Sequence, residues 1–160
     1  MSSGRVTQTL VLTSSLFIIG CIASGIDLGV NRETANLHKA AFEKLLAYDS
    51  VDTGVRGYCL GIQSAANVID PPDDVMTAFR RHSPPVWRIS ECANLHWEGL
   101  EVHDTASIVL QSPQILNRGV NALIEGWMAR GAAYGERFRC EFIRKGRSWT
   151  LDRCDVTGIS

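Results

Sequence analysis

Two long alternating segments, residues 134–145 and 149–157, flank the short polar stretch Gly146-Arg147-Ser148. Alternation over such lengths predicts two half-buried strands, and the brief break between them predicts a hairpin. A three-residue loop sets the register by counting. Lys145 then faces Trp149, Ile143 faces Leu151, Glu141 faces Arg153, Cys140 faces Cys154 and Arg139 faces Asp155. Two opposite-charge pairs and one apolar pair meet, as cross-strand pairing prefers. The same register opposes two cysteines. Directly opposed Cβ atoms sit ~4.5–5.5 Å apart, so a disulfide there needs a close, non-hydrogen-bonded pair. Closing that loop would stabilise the fold by roughly 3 kcal/mol in chain-entropy terms.

The beginning of the chain carries a different signal. Arg5 precedes an apolar run, Leu10-Val11-Leu12 and then Leu16-Phe17-Ile18-Ile19-Gly20, with Cys21 immediately after. A charged start, a short apolar stretch and a small residue before the cleavage point form a secretory signal. With cysteine at the cut it resembles a bacterial lipoprotein signal, Ile18-Ile19-Gly20-Cys21 standing as the lipobox. Residues 1–20 are then a signal peptide, 21–32 a tether and 33–160 one domain, held to the membrane through a lipid on Cys21. Ile22 rather than Asp follows the cysteine, which points away from inner-membrane retention and towards a periplasm-facing outer-membrane location. Three alternatives compete: an ordinary signal peptide, an uncleaved anchor, and a buried segment of a cytosolic protein. Residues 9–30 have the length of a span, but Thr13-Ser14-Ser15, Ser24-Gly25 and Asp27 interrupt it.

Cleavage would leave 140 of the 160 residues, enough for a real core. With 15 of the 16 basic residues and all 17 acids remaining, the mature net charge is −2. No basic block stands out, which argues against nucleic acid as a partner. Beyond Cys21 lie Cys59, Cys92, Cys140 and Cys154, an even number in an exported chain. Four cysteines allow three pairings; the spacing favours Cys59 with Cys92 and Cys140 with Cys154. Four buried thiols are the alternative, and zinc is poorly supported because no C-x-x-C pair exists.

Between these ends, residues 33–48 read as a helix, with Leu37, Ala40, Ala41, Leu45 and Tyr48 at helical spacing and Phe42 and Leu46 widening the stripe. Residues 55–63 read as a strand. Tyr58, Leu60 and Ile62 share one face; Gly57, Cys59 and Gly61 share the other, where another element approaches closely. Asp70-Pro71-Pro72-Asp73-Asp74 opens a second helix, with Asp70 as N-cap, Val75, Ala78 and Phe79 as its stripe, and Ser83-Pro84-Pro85 as its stop. Strands follow at residues 86–92, 106–111 and 119–128, with 93–104 irregular. The expected fold is α+β: N-terminal helices packed on one face of a curved antiparallel sheet.

Several short motifs together carry a resemblance: Tyr58-Cys59-Leu60, Asp70-Pro71-Pro72, Ser90-Glu91-Cys92, Gly126-Trp127, residues 131–136 and Gly146-Arg147-Ser148-Trp149. They look like a set of small, uncharacterised bacterial lipoproteins. The C-terminal half resembles the last strands of the NTF2-like, cystatin-like α+β cone. The resemblance covers roughly residues 35–160. It implies an envelope location, a cone-shaped fold and a cysteine pair at Cys59 and Cys92, with Cys140 and Cys154 as an addition. That fold hosts isomerases, dehydratases, transport factors and non-catalytic domains, so it implies no activity.

An enzyme of that type needs an acid–base pair inside the cone. The candidates are Tyr58, Asp70, His82, His96, His103, Asp104 and Tyr134. Asp70 is better explained as a cap and His82 as a cation at a helix end. His103-Asp104 is the one adjacent His/Asp pair, although neighbours in extended chain point opposite ways. Tyr58, Trp127, His103 and Asp104 are the pocket or surface candidates. Trp87, Trp97 and Trp149 are more simply packing residues. No nucleophile, zinc-protease or phosphate-loop motif occurs, and no cofactor or metal is called for. Two functions remain: a non-catalytic envelope lipoprotein that binds a partner protein or apolar ligand, and a periplasmic isomerase- or dehydratase-type enzyme acting on a small hydrophobic substrate.

Overall fold

The helical stripe and the alternating segments meet in one sheet-based core. The computed structural model describes residues 32–49, 54–92, 104–130 and 134–159; the lipobox-like segment with Cys21, and His96, Trp97 and His103, lie outside them. The elements are α1 (Arg32–Asp49), β1 (Gly57–Ser64), β2 (Asn67–Ile69), α2 (Asp73–Thr77), β3 (Val86–Arg88), α3 (Ile89–Cys92), β4 (Thr105–Gln111), β5 (Gln114–Leu116), a 3₁₀ turn (Asn117–Gly119), β6 (Asn121–Arg130), β7 (Tyr134–Lys145) and β8 (Ser148–Ile159).

The strands form one sheet in the order β2-β1-β4-β6-β7-β8, with β3 also on β1 and β5 also on β6. From β4 onward it is an antiparallel meander, but β1 runs parallel to both β3 and β4. This overturns the expected architecture. The sheet is mixed rather than antiparallel, strands dominate the described residues, and two of the three helices have only five and four residues. It is not a set of helices packed on a curved NTF2-like sheet. Alternation reports which face a residue occupies but not which way its strand runs. A parallel pair needs a crossover of a dozen or more residues, and the chain between β1 and β4 supplies it.

The second helix illustrates the same limit. Asp70 does not cap it: Pro72 holds the N-cap position with no side-chain cap. Asp70 instead accepts hydrogen bonds from the Ser90 amide (3.0 Å) and hydroxyl (2.7 Å). Arg88 adds a 2.8 Å bond to the Pro71 carbonyl and a 2.5 Å ion pair with Asp73. Residues distant in sequence thus claim the polar groups that a longer helix would have used. The strand expected over residues 86–92 accordingly ends at Arg88 and turns into α3.

One face of the sheet holds the core. Leu37, Ala41, Phe42, Leu45 and Leu46 of α1 pack with Tyr58, Leu60 and Ile62, Ala106, Ile108 and Leu110, Ala122, Ile124 and Met128, and Phe138, Cys140 and Phe142. Phe79 meets Phe42 edge-on at 6.4 Å between centroids. Tyr48, expected in the helical stripe, is half exposed. On the opposite face of β1 the small residues do what their size suggests. A Cβ on Gly57 would collide with the Trp87 ring, and one on Gly61 would lie 2.5 Å from Val68. Between them Cys59 is bonded to Cys92, so the segment from β3 to α3 is laid against β1 and stapled there.

In the C-terminal hairpin, Glu141 faces Arg153, Cys140 faces Cys154 and Arg139 faces Asp155, and Cys140 is bonded to Cys154. Nearer the tip the pairing differs from the count. Lys145 faces Ser148 and Ile143 faces Thr150, and a bulge between Glu141 and Phe142 restores the register. The loop is therefore Gly146-Arg147, with Gly146 at φ 65°. A two-residue hairpin turn favours glycine at its first position because that residue must be left-handed.

Candidate functional site

The sequence candidates scatter. Tyr58 is buried in the core, with its ring edge-on to His82 at 5.9 Å. Trp127 lies beside Val109 and Arg137 on the opposite face of the sheet. Asp104 forms a 3.7 Å ion pair with Arg56. His82 donates from Nδ1 to the Pro84 carbonyl at 2.7 Å. Of the five acid–base candidates among the described residues, Tyr134 alone joins a buried ionisable cluster.

That cluster sits where α1 ends, between the close of β6 and the start of β7. Asp49 is the last residue of α1, and its side chain has no solvent exposure. It pairs with the guanidinium of Arg130, the last residue of β6. Arg130 also stacks over the Tyr134 ring, 5.3 Å from its centroid. Tyr134 donates to Glu136 Oε1 at 2.5 Å. Glu136 is 95% buried (5% exposed), and among the described residues neither its Oε2 nor Arg130 Nε has a hydrogen-bond partner. One aromatic edge borders the cluster: Tyr48, a residue before Asp49, meets Phe138 edge-on at 5.8 Å.

The electrostatics follow from this geometry. The hydrogen bond to Glu136 holds the Tyr134 phenol above its ordinary pKa, with desolvation and the Glu136 charge adding to the effect and Arg130 opposing it. The phenol therefore stays a donor at neutral pH. One carboxylate oxygen, Glu136 Oε2, is buried and able to accept from a ligand N–H or O–H. The arrangement can bind a donor group, and its Tyr–Glu pair can move a proton.

A second buried polar group lies in the N-terminal half of α1. His38 Nε2 donates to the Gln111 carbonyl at 3.0 Å, which leaves Nδ1 as a buried acceptor without a donor among the described residues. Burial lowers its pKa, with the Gln111 bond acting in the opposite sense.

Part of the main cluster was visible in the sequence. Glu136 shares parity with Phe138, Cys140 and Phe142, so alternation already places a carboxylate on the apolar face. Asp49 and Arg130 were not visible as partners, because 81 positions separate them. His38 gave no signal beyond lying one turn from Ala41 and Phe42.

No known protein family, no curated protein and no solved structure matches this chain. Among the described residues, no group of three or more His, Cys, Asp or Glu could hold a metal ion. Among the same residues, no helix is long and apolar enough to cross a membrane.

Proposed function

We propose that this chain is an envelope lipoprotein, anchored through a lipid on Cys21, whose domain binds rather than catalyses. The observation that carries the proposal is the pair of disulfides. Four of the five cysteines are bonded, Cys59 with Cys92 and Cys140 with Cys154. Disulfides persist in exported proteins and are rare in reducing compartments, and Cys21 is left as the one cysteine that follows a signal-like segment. The binding reading draws on Glu136 Oε2, a buried acceptor beside the half-exposed Tyr134. The occupant would be a small molecule, or a partner-protein side chain, carrying an N–H or O–H donor on an apolar body. Mass spectrometry of the mature protein tests the anchor. An acylated N-terminal Cys21 is expected, and an unprocessed Met1 or an unmodified Cys21 would overturn it.

The short Tyr134–Glu136 bond beside Arg130 favours a second reading, an acid–base enzyme acting on a small hydrophobic substrate. The two readings separate at Glu136→Gln. The amide cannot take a proton and offers one acceptor oxygen instead of two, so a binder loses affinity and has no turnover to lose, whereas an enzyme turns substrate over in the parent and loses that turnover in the variant.

A further inference from the structure

We infer that the end of the domain bearing the α1 N-terminus is a docking surface for an anionic lipid bilayer. Several elements converge there. Glu33, in the first turn of α1, accepts from Trp149 Nε1 at 2.7 Å and pairs with Arg144 at 3.1 Å. Arg144 also stacks over Trp149 at 5.3 Å and donates its amide to the Val120 carbonyl at 2.7 Å. These contacts gather the start of α1, the 3₁₀ turn after β5 and the β7–β8 hairpin tip at one pole.

The pole has an unusual surface. Ile115, Leu116, Val120 and Ile143 are all exposed there, four of the ten exposed large hydrophobic side chains among the described residues. Arg32, Arg118, Arg144, Lys145 and Arg147 are exposed beside them. Residues 112–121 and 143–150 contain no acid, so with Glu33 the pole carries five positive charges against one negative, a net +4. The chain as a whole is at −1, so the basic charge is concentrated here. Exposed apolar side chains within a basic field make an interfacial surface, the apolar groups entering the headgroup boundary and the cations meeting lipid phosphates. Three successive left-handed residues, Asn117, Arg118 and Gly119, lie between Leu116 and Val120, a costly conformation that other parts of the structure must hold.

The occupant follows from where the described chain begins. Arg32 opens α1 at this same pole. Eleven residue steps separate it from Cys21, a reach of at most about 40 Å even fully extended. With Cys21 acylated the pole stays within that reach of the bilayer, and docking of the pole would turn the Asp49–Arg130–Tyr134–Glu136 cluster, at the other end of α1, away from it. That orientation rests on the anchor proposed above; the affinity of the pole for anionic lipid does not.

The test is vesicle flotation of full-length Cys21→Ala, which cannot be acylated, on phosphatidylcholine vesicles with and without phosphatidylglycerol. The readout is the ratio of the two partition coefficients. It is compared with that of the same chain carrying Arg118→Asn, Lys145→Gln and Arg147→Gln; asparagine suits the left-handed φ at position 118. Every chain keeps the same N-terminal segment, so a difference belongs to the pole. Each cation near an anionic surface is worth about fivefold in partitioning, so the triple variant should lower the ratio by up to roughly a hundredfold. Salt should lower the parent's ratio in the same direction. Unchanged near-ultraviolet circular dichroism would show that the variant is folded. A ratio near one for the parent, or equal ratios for parent and folded variant, overturns the inference. Failure of Cys21 acylation in the native protein overturns the anchor alone.

Discussion

Replacing Arg130 with Met tests the polar cluster most directly. The substitution keeps the length and apolar body of the side chain and removes its charge. Asp49, with a fully buried side chain, loses its cation. Removing one partner of a buried pair costs about 3–5 kcal/mol, because the remaining charge is left uncompensated. Arg130 is 24% exposed, so part of the pair's attraction is already screened and the lower end, about 3 kcal/mol, applies. Asp49→Leu should cost less, about 1–2 kcal/mol, because the guanidinium left behind still reaches water. The double variant Asp49→Leu with Arg130→Met leaves no buried charge. It should recover to within about 1 kcal/mol of the parent, a coupling of roughly 2 kcal/mol or more. Urea unfolding followed by circular dichroism measures all of these. With a slope of about 1.5 kcal/mol/M, Arg130→Met should lower the midpoint by roughly 2 M. A loss below about 0.5 kcal/mol for Arg130→Met, or strict additivity in the double variant, would refute the pairing as a buried, coupled interaction.

Two further perturbations probe the staples and the helix. The Cys59–Cys92 bond closes a separation of 33 residues and Cys140–Cys154 one of 14. Chain entropy therefore assigns about 4 kcal/mol to the first and about 3 to the second. Thermal or urea unfolding of the paired Cys→Ala variants should rank them in that order; a larger loss at Cys140–Cys154 would count against the loop-length account. For His38 the folded-state pKa lies below the ordinary histidine value of 6.5, so the unfolded chain takes up the proton first. The stability His38 contributes is complete above pH 6.5 and is lost as pH falls from there towards the lower folded pKa. Unfolding curves between pH 7 and 5 should show the decline, and His38→Phe should flatten it. An equally steep decline in the variant would move the effect to other groups.

The C-terminal hairpin shows how far counting along the chain carries. Pairing from a three-residue loop places Cys140 opposite Cys154, and the structure has them there. It reaches that register by another route, a two-residue turn at Gly146-Arg147 followed by a bulge between Glu141 and Phe142. The extra residue moved from the loop into the strand, so the tip pairs changed and the inner ones did not. Opposite charges and the two cysteines specify the inner register through side-chain contacts. At the tip, Gly146 was the one residue that favoured the shorter turn. The polar cluster was less legible still: Glu136 could be placed on the inner face by parity, but its setting depends on Arg130 and Asp49 arriving from other elements.

What the sequence alone determined was local and periodic. The α1 stripe, the parity of β1, the inner register of the β7–β8 hairpin, and the tolerance of Gly57 and Gly61 for close neighbours all follow from spacing along the chain. Tertiary structure decided everything that depends on direction and partnership. It decided that β1 runs parallel to β4, that Asp70 serves Ser90 rather than its own helix, and that Asp49 meets Arg130. Side-chain period is blind to strand direction, and a polar group takes the strongest partner the whole fold delivers to it. The fold, rather than any segment of the chain, also sets a basic apolar pole at one end of α1 and a buried carboxylate cluster at the other.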